Sequence, residues 1–227
     1  MMTGLKPRAV ICLSGGMDSA VCAALAAREC EVYALHFSYG QRTEARELKS
    51  ARGVAEAVGA KQFLHLEIDL FRRIGGSALT DETIAVPEAV EEGIGASVPV
   101  TYVPFRNAHF LSAAVSWAEV VGARKIYIGA VEQDSSGYPD CRPAYYEAFQ
   151  ELIRRGTKEG DIEVATPLIH MRKREIVALG LELGAPFNLT WSCYSEQGRA
   201  CGVCESCVLR LRAFAEAETV DPVPYAA

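Results

Sequence analysis

No apolar run in this chain approaches the length of a membrane span, which excludes a membrane-crossing helix. Residues 1–8 lack the long apolar segment of an export signal, so the expected location is the cytoplasm. Basic charge is scarce: 23 Lys and Arg stand against 29 Asp and Glu, a net charge of −6. A chain that wraps nucleic acid carries a basic excess. Here the basic residues gather only in Arg154-Arg155 and Arg172-Lys173-Arg174. A small-molecule substrate is therefore expected, with no direct nucleic-acid or membrane partner. Internal repeats and low-complexity tracts are absent, which argues against a repeat architecture.

What is present is a core-forming composition. The chain has 227 residues, 50% of them hydrophobic, enough for one large domain. Short apolar runs at 9–13, 32–37, 61–68 and 125–129 read as strands. The apolar, Ala-rich run at 20–27 and the stretches at 45–58, 106–121, 145–155 and 172–183 read as helices. Strands alternating with helices predict an α/β fold, a doubly wound parallel sheet with helices on both faces. Ligands of such sheets lie beyond the carboxyl ends of the strands. Residues 72–104 break the pattern, being rich in Gly, Pro and acidic residues. A stretch that long without periodicity is expected to be a mobile active-site flap.

Leu13-Ser14-Gly15-Gly16-Met17-Asp18-Ser19 lies between the first strand and the first helix. Glycines let backbone N–H groups approach phosphate oxygens, and the helix start adds unpaired donors and a favourable dipole. Ser14 and Ser19 offer hydroxyls, and Asp18 offers a carboxylate for a magnesium ion. No Gly-Lys-Ser/Thr follows, so this is not a Walker loop.

Near the other end, Cys193, Cys201, Cys204 and Cys207 are spaced C-x7-C-x2-C-x2-C. Four thiolates so close in sequence suit a closed tetrahedral zinc site, with no open position for activating water. Redox use of the C-x-x-C pairs is the alternative. Cys12, Cys22 and Cys30 sit in apolar context and are expected to be buried thiols. Residues 1–189 are assigned to a nucleotide and substrate domain, and residues 190–227 to a zinc-binding element packed on it.

The loop resembles the SGGxDS loop of the PP-loop ATP pyrophosphatases, whose fold is that of the adenine-nucleotide alpha-hydrolases. With the cysteines it resembles, more narrowly, the 7-cyano-7-deazaguanine synthase family. Tyr39-Gly40-Gln41-Arg42, Val103-Pro104 with Arg106-Asn107, Ser136-Gly137-Tyr138-Pro139-Asp140-Cys141-Arg142, and Thr190-Trp191-Ser192-Cys193-Tyr194 carry that resemblance over nearly the whole chain. It implies ATP-dependent conversion of 7-carboxy-7-deazaguanine and ammonia to the nitrile, through an acyl-adenylate and an amide, in queuosine biosynthesis. ATP, magnesium and one structural zinc per chain are the implied cofactors, and a homodimer the implied assembly.

The resemblance, together with the chemistry of each residue type, implies the following roles. Leu13 to Ser19 hold pyrophosphate, Asp18 holds magnesium, and Lys173 is a point charge for phosphate. Arg106 offers a fork to a carboxylate or phosphate. Asp134 and Asp140 are candidates for the guanine-like edge, with helix capping the alternative for Asp140. Tyr138 can stack on a base, and Gln41, Arg42 and Asn107 line the pocket. Three positions depart from the family pattern: Ser38 replaces an acidic residue, Thr43 a histidine and Phe105 a small residue. Alternatives are transfer to another amine, tRNA thiolation by a catalytic cysteine outside the metal site, or a nucleotide-binding scaffold without turnover.

Overall fold

The computed structural model describes residues 6–89, 94, 97–133 and 137–226. Five parallel strands form one sheet in the order β3-β2-β1-β4-β5, with β1 at Arg8–Cys12, β2 at Glu31–Ser38, β3 at Gln62–Glu67, β4 at Lys125–Ile128 and β5 at Glu163–Ala165. Helices cover both faces, so the central strand is apolar throughout its buried length: Ala9, Val10 and Ile11 are fully buried. Side chains alternate across the sheet. Ala9, Ile11 and Leu13 pack with α1 (Met17–Glu29), α2 (Glu44–Ala57), α6 (Lys173–Leu183) and α7 (Glu205–Glu216). Val10 and Cys12 pack on the opposite face with α4 (Arg106–Val121) and α5 (Pro143–Gly156).

The chain builds β1, β2 and β3 outward in one direction, then returns to place β4 on the other side of β1. The strand order therefore reverses between β1 and β4, and a ligand crevice opens at such a reversal. Residues 13–16 leave β1 at that point.

Strand β5, α7 and the short helix before residue 77 have no counterpart in the sequence pattern. Strand β5 is only three residues long, and α7 carries Cys207 and Arg210 on its buried side. The stretch expected as a flap contains α3 (Leu70–Ile74) and a packed turn in which Ser77, Ala78, Leu79 and Thr80 are buried. Arg42 fastens this turn: its Nε donates to the Ala78 carbonyl (2.7 Å) and its Nη2 to those of Asp81 (3.1 Å) and Ile84 (2.8 Å). Irregular backbone thus finds its partners in a side chain rather than a ladder.

Candidate active site

Leu13 keeps one ladder bond to the Leu35 carbonyl (2.8 Å), and the chain then turns into α1. Gly15 has φ +88°, and a Cβ there would lie 2.7 Å from the Glu47 carbonyl oxygen and 2.8 Å from the Ala51 nitrogen. The loop is pressed against the backbone of α2, so only glycine fits. Gly129, at the end of β4, is confined in the same way, its missing Cβ 2.9 Å from backbone atoms of Asp18 and Ser19. Ser14 Oγ accepts from the Gly16 N–H (3.2 Å) and bonds Ser19 Oγ (3.0 Å). No side chain caps the first turn of α1. Its N–H groups stay available to an anion.

Asp18 meets Lys173 across the top of β4. Lys173 Nζ lies 2.6 Å from Asp18 Oδ2, while Asp18 Oδ1 is buried without a partner among the described residues. A lysine at the first turn of a helix opposes the helix dipole, and Asp18 offsets it. The unmet oxygen fits a divalent cation beside phosphates.

Arg106 opens α4 from an unusual backbone. The preceding Phe105 has φ 58°, a left-handed conformation costing about 1–3 kcal/mol for a bulky residue. The Tyr102 hydroxyl accepts the Phe105 N–H (2.9 Å) and helps to hold it. Arg106 Nη1 donates to the Tyr39 hydroxyl (2.9 Å), and the guanidinium carbon lies 5.4 Å and 5.6 Å from the Tyr39 and Phe110 ring centres. Its Nε is buried without a partner, and Arg106 forms no ion pair among the described residues. An arginine stays charged at any accessible pH. Among the described residues the site therefore holds a partly buried cation without an ion pair, on which the Asp140 carboxylate acts only through space.

The remaining predicted residues divide. Asp140 is buried and caps α4, accepting the Asn107 N–H (3.2 Å), while Asn107 Nδ2 donates to the Asp140 carbonyl (3.1 Å). Burial raises the Asp140 carboxyl above its usual range, with Arg106 working against the rise. Gln41 accepts the Tyr39 N–H (2.8 Å) and donates to the Phe37 carbonyl (3.3 Å) and to Glu47 (3.1 Å). The Tyr138 hydroxyl lies 3.0 Å from Thr101 Oγ1 and 3.5 Å from the Tyr194 hydroxyl. Asp134 lies outside the described residues.

One cavity of about 260 Å³ is lined by Ser14, Gly16, Asp18, Ser19, Gln41, Arg42, Arg106, Asn107 and Tyr138. A second, of about 180 Å³, shares Asp18, Arg106 and Tyr138 with it and adds Lys173. Asp140 lines neither cavity. Tyr39, Glu47 and Tyr194 also line the first cavity; Tyr39 and Tyr194 belong to motifs read in the sequence without a role assigned, and Glu47 was not singled out. The departures have partners: Ser38 Oγ bonds His65 (2.8 Å), and Thr43 donates to Glu47 (2.7 Å).

The four C-terminal cysteines meet with their sulfurs all within 4.8 Å of one another. Cys201 and Cys207 Sγ are 3.9 Å apart. A tetrahedron of thiolates around zinc, at about 2.3 Å each, has edges of about 3.8 Å. Backbone N–H groups of Ser195, Glu196 and Cys201 point at Cys193 Sγ (3.5, 3.3 and 3.4 Å), as donors to a metal-bound thiolate do. This element also reaches the cavity. Ser192, Tyr194 and Ser206 line it, and the Trp191 N–H donates to the Gly15 carbonyl (2.8 Å). It is fixed from below by Arg210 and Asp221, 2% and 3% exposed, joined by bonds of 2.7 and 2.9 Å.

An anion cradle at the strand-order reversal, a carboxylate–lysine pair and an unpaired arginine in joined cavities describe a nucleotide-dependent α/β enzyme. The comparisons narrow the class. A family model described as queuosine biosynthesis protein QueC matches residues 8–218. The 7-cyano-7-deazaguanine synthase of Acidobacterium capsulatum is 76% identical over 227 residues, covering 99% of both chains. Its counterpart from Koribacter versatilis is 68% identical, covering 96% of this chain and 93% of that one. That from Chlorobium phaeovibrioides is 55% identical over 96% of each. The chain belongs to the QueC family.

Proposed function

We propose that this chain converts 7-carboxy-7-deazaguanine and ammonia to 7-cyano-7-deazaguanine at the expense of ATP. The observation that carries the reading is the Arg106 guanidinium, unpaired and with a buried, unmet Nε, in the cavity that also holds the phosphate loop and the unmet Asp18 Oδ1. One group asks for a carboxylate, the others for a nucleotide phosphate and its cation.

A carboxylate oxygen is a poor leaving group. Attack of that oxygen on the α-phosphorus of ATP expels pyrophosphate and makes it part of AMP. Ammonia then adds to the acyl carbon, AMP leaves and a proton is lost, giving the amide. The amide oxygen attacks a second ATP in the same way. Loss of AMP and the remaining N–H protons leaves the nitrile. Arg106 orients the carboxylate, and placement of the two reactants supplies much of the rate. The loop from Leu13 to Ser19 receives the pyrophosphate, and Lys173 adds positive charge. A magnesium ion on Asp18 would neutralise phosphate charge. Tyr138 and Asn107 contact the heterocycle, with Asp134 serving its guanine-like edge, while Asp140, outside both cavities, holds Asn107 and the start of α4. Gln41 and Arg42, whose polar atoms are engaged by protein groups, hold the wall. Zinc held by Cys193, Cys201, Cys204 and Cys207 would fix residues 190–227 to the domain formed by 1–189. The enzyme works in the cytoplasm as a homodimer. Among the described residues no helix is long and apolar enough to cross a membrane.

The test is mass spectrometry of the purified protein with magnesium-ATP, ammonium and 7-carboxy-7-deazaguanine. Amide followed by nitrile, with AMP, is the expected result. Acyl-adenylate without nitrile would redirect the search to another amine, and absence of AMP would refute the reading.

A further inference from the structure

His36 is 1% exposed, near the carboxyl end of β2, and lines the cavity of the phosphate loop. Its Nδ1 lies 2.8 Å from the carbonyl oxygen of Leu13, the residue that opens that loop. A carbonyl only accepts, so Nδ1 carries the proton. Burial lowers the His36 pKa to about 4, so the ring is neutral at physiological pH. Nε2 is therefore an acceptor, fixed in tautomer, and it is buried without a partner among the described residues. Such an atom is costly to leave unmet. It needs an N–H or O–H donor from whatever fills the cavity.

Position narrows the donor. The cavity that contains Lys173, Arg106 and Tyr138 does not include His36, so His36 stands at the part of the site away from Lys173. The acyl substrate is drawn to Arg106 on the face of the sheet covered by α4, which leaves the opposite face, where His36 stacks beside Phe63, to the base of the nucleotide. Adenine presents a 6-amino donor. Guanine presents a carbonyl there, which would set lone pair against lone pair.

We propose that His36 selects adenine, its Nε2 accepting a hydrogen bond from the 6-amino group of the nucleotide. The proposal rests on the nucleotide-dependent reading above.

Calorimetric binding and AMP release are measured with magnesium complexes of ATP, GTP, purine riboside triphosphate (which lacks the amino group) and 2′-deoxy-ATP. Wild type, His36→Leu and His36→Gln are compared. Wild type is expected to favour ATP over purine riboside triphosphate by about tenfold, the scale of one buried hydrogen bond. His36→Leu should bring that ratio near one, and His36→Gln, which keeps an acceptor, should restore part of it. Loss of the Leu13 anchor alone would weaken every nucleotide equally, and that outcome overturns the proposal. So does a wild-type ratio near one, or a change confined to ATP against 2′-deoxy-ATP, which would place the acceptor on the ribose. Binding ratios report on His36 even if no AMP forms, whereas AMP formation reports on the proposed reaction.

Discussion

Arg106 and His36 show how single residues here trade stability for a task. A partly buried guanidinium without an ion pair among the described residues costs stability, and the neighbouring left-handed Phe105 adds strain. Arg106→Met is expected to lower turnover about a hundredfold, the scale of removing one electrostatic contact to the reacting group. The same change should leave the thermal midpoint unchanged or raised, because it deletes an unpaired charge. A fall in both quantities would make Arg106 structural. His36 gives the pH signature. Its folded pKa, about 4, lies below the ordinary 6.5 because of burial, with His65 and Arg52 adding repulsion. Between those values the unfolded chain binds a proton that the folded chain refuses. Stability contributed by the neutral ring is thus complete above pH 6.5 and lost as pH falls toward 4. The slope is up to about 1.4 kcal/mol per pH unit. Denaturant titrations of wild type and His36→Gln should differ by that slope across the window, and parallel curves would refute it.

At the scale of elements, the tightest joint is the crossing of α6 on α1. A Cβ on Gly180 would lie 2.2 Å from Phe187 Cζ and 2.7 Å from Val21 Cγ2. Both neighbours are buried, and the Phe187 ring is held edge-on to Phe214 at 5.2 Å. Gly180→Ala gains helix propensity but overpacks this joint. A net loss of about 1–3 kcal/mol is expected in chemical denaturation. Pairing it with Phe187→Leu should recover part of that loss. Sequence patterning finds α1 and α6 readily, since both carry clear apolar faces. It finds β1, β2 and β4 because strands covered on both sides read as apolar runs. Helix α7 escaped because Cys207 and Arg210 stand at buried positions, and a charge there hides the periodicity. The anchoring of residues 77–84 escaped for a related reason. Its backbone is satisfied by Arg42, far away in sequence, and no local pattern records such a bond. The phosphate loop and the four cysteines were legible because each is a local cluster. The Tyr39–Arg106 and Asp18–Lys173 contacts are long-range, so sequence alone could name their members but not pair all of them.

The whole molecule is tied together through the cysteine element. Glu88 bridges Cys204, and the Ala89 N–H donates to the Val203 carbonyl (2.8 Å), so the segment beyond Arg42's anchor leans on the metal loop. From the other side, the Trp191 N–H holds the Gly15 carbonyl (2.8 Å), and the Arg46 guanidinium covers the Trp191 ring at 4.4 Å. Below them, Arg210 joins Asp221, and Asp221 also accepts from the Tyr225 hydroxyl (2.7 Å). Arg210→Met would strand Asp221 as a buried, unpaired charge, for a loss of about 3–5 kcal/mol. Metal removal should act differently. Four uncompensated sulfurs cannot keep the 193–207 loop closed, but the Arg210–Asp221 joint remains to hold the base of the element. Chelation is therefore expected to release the upper contacts before the fold is lost. Hydrogen exchange at the Ala89 and Trp191 amides should speed up in the metal-free protein while the amides of β1 stay protected. Nucleotide affinity should fall in parallel, because Gly15 loses its outer tether. Unchanged exchange at both amides would mean that the cysteine loop holds its shape without metal and that the phosphate loop is set by α2 alone.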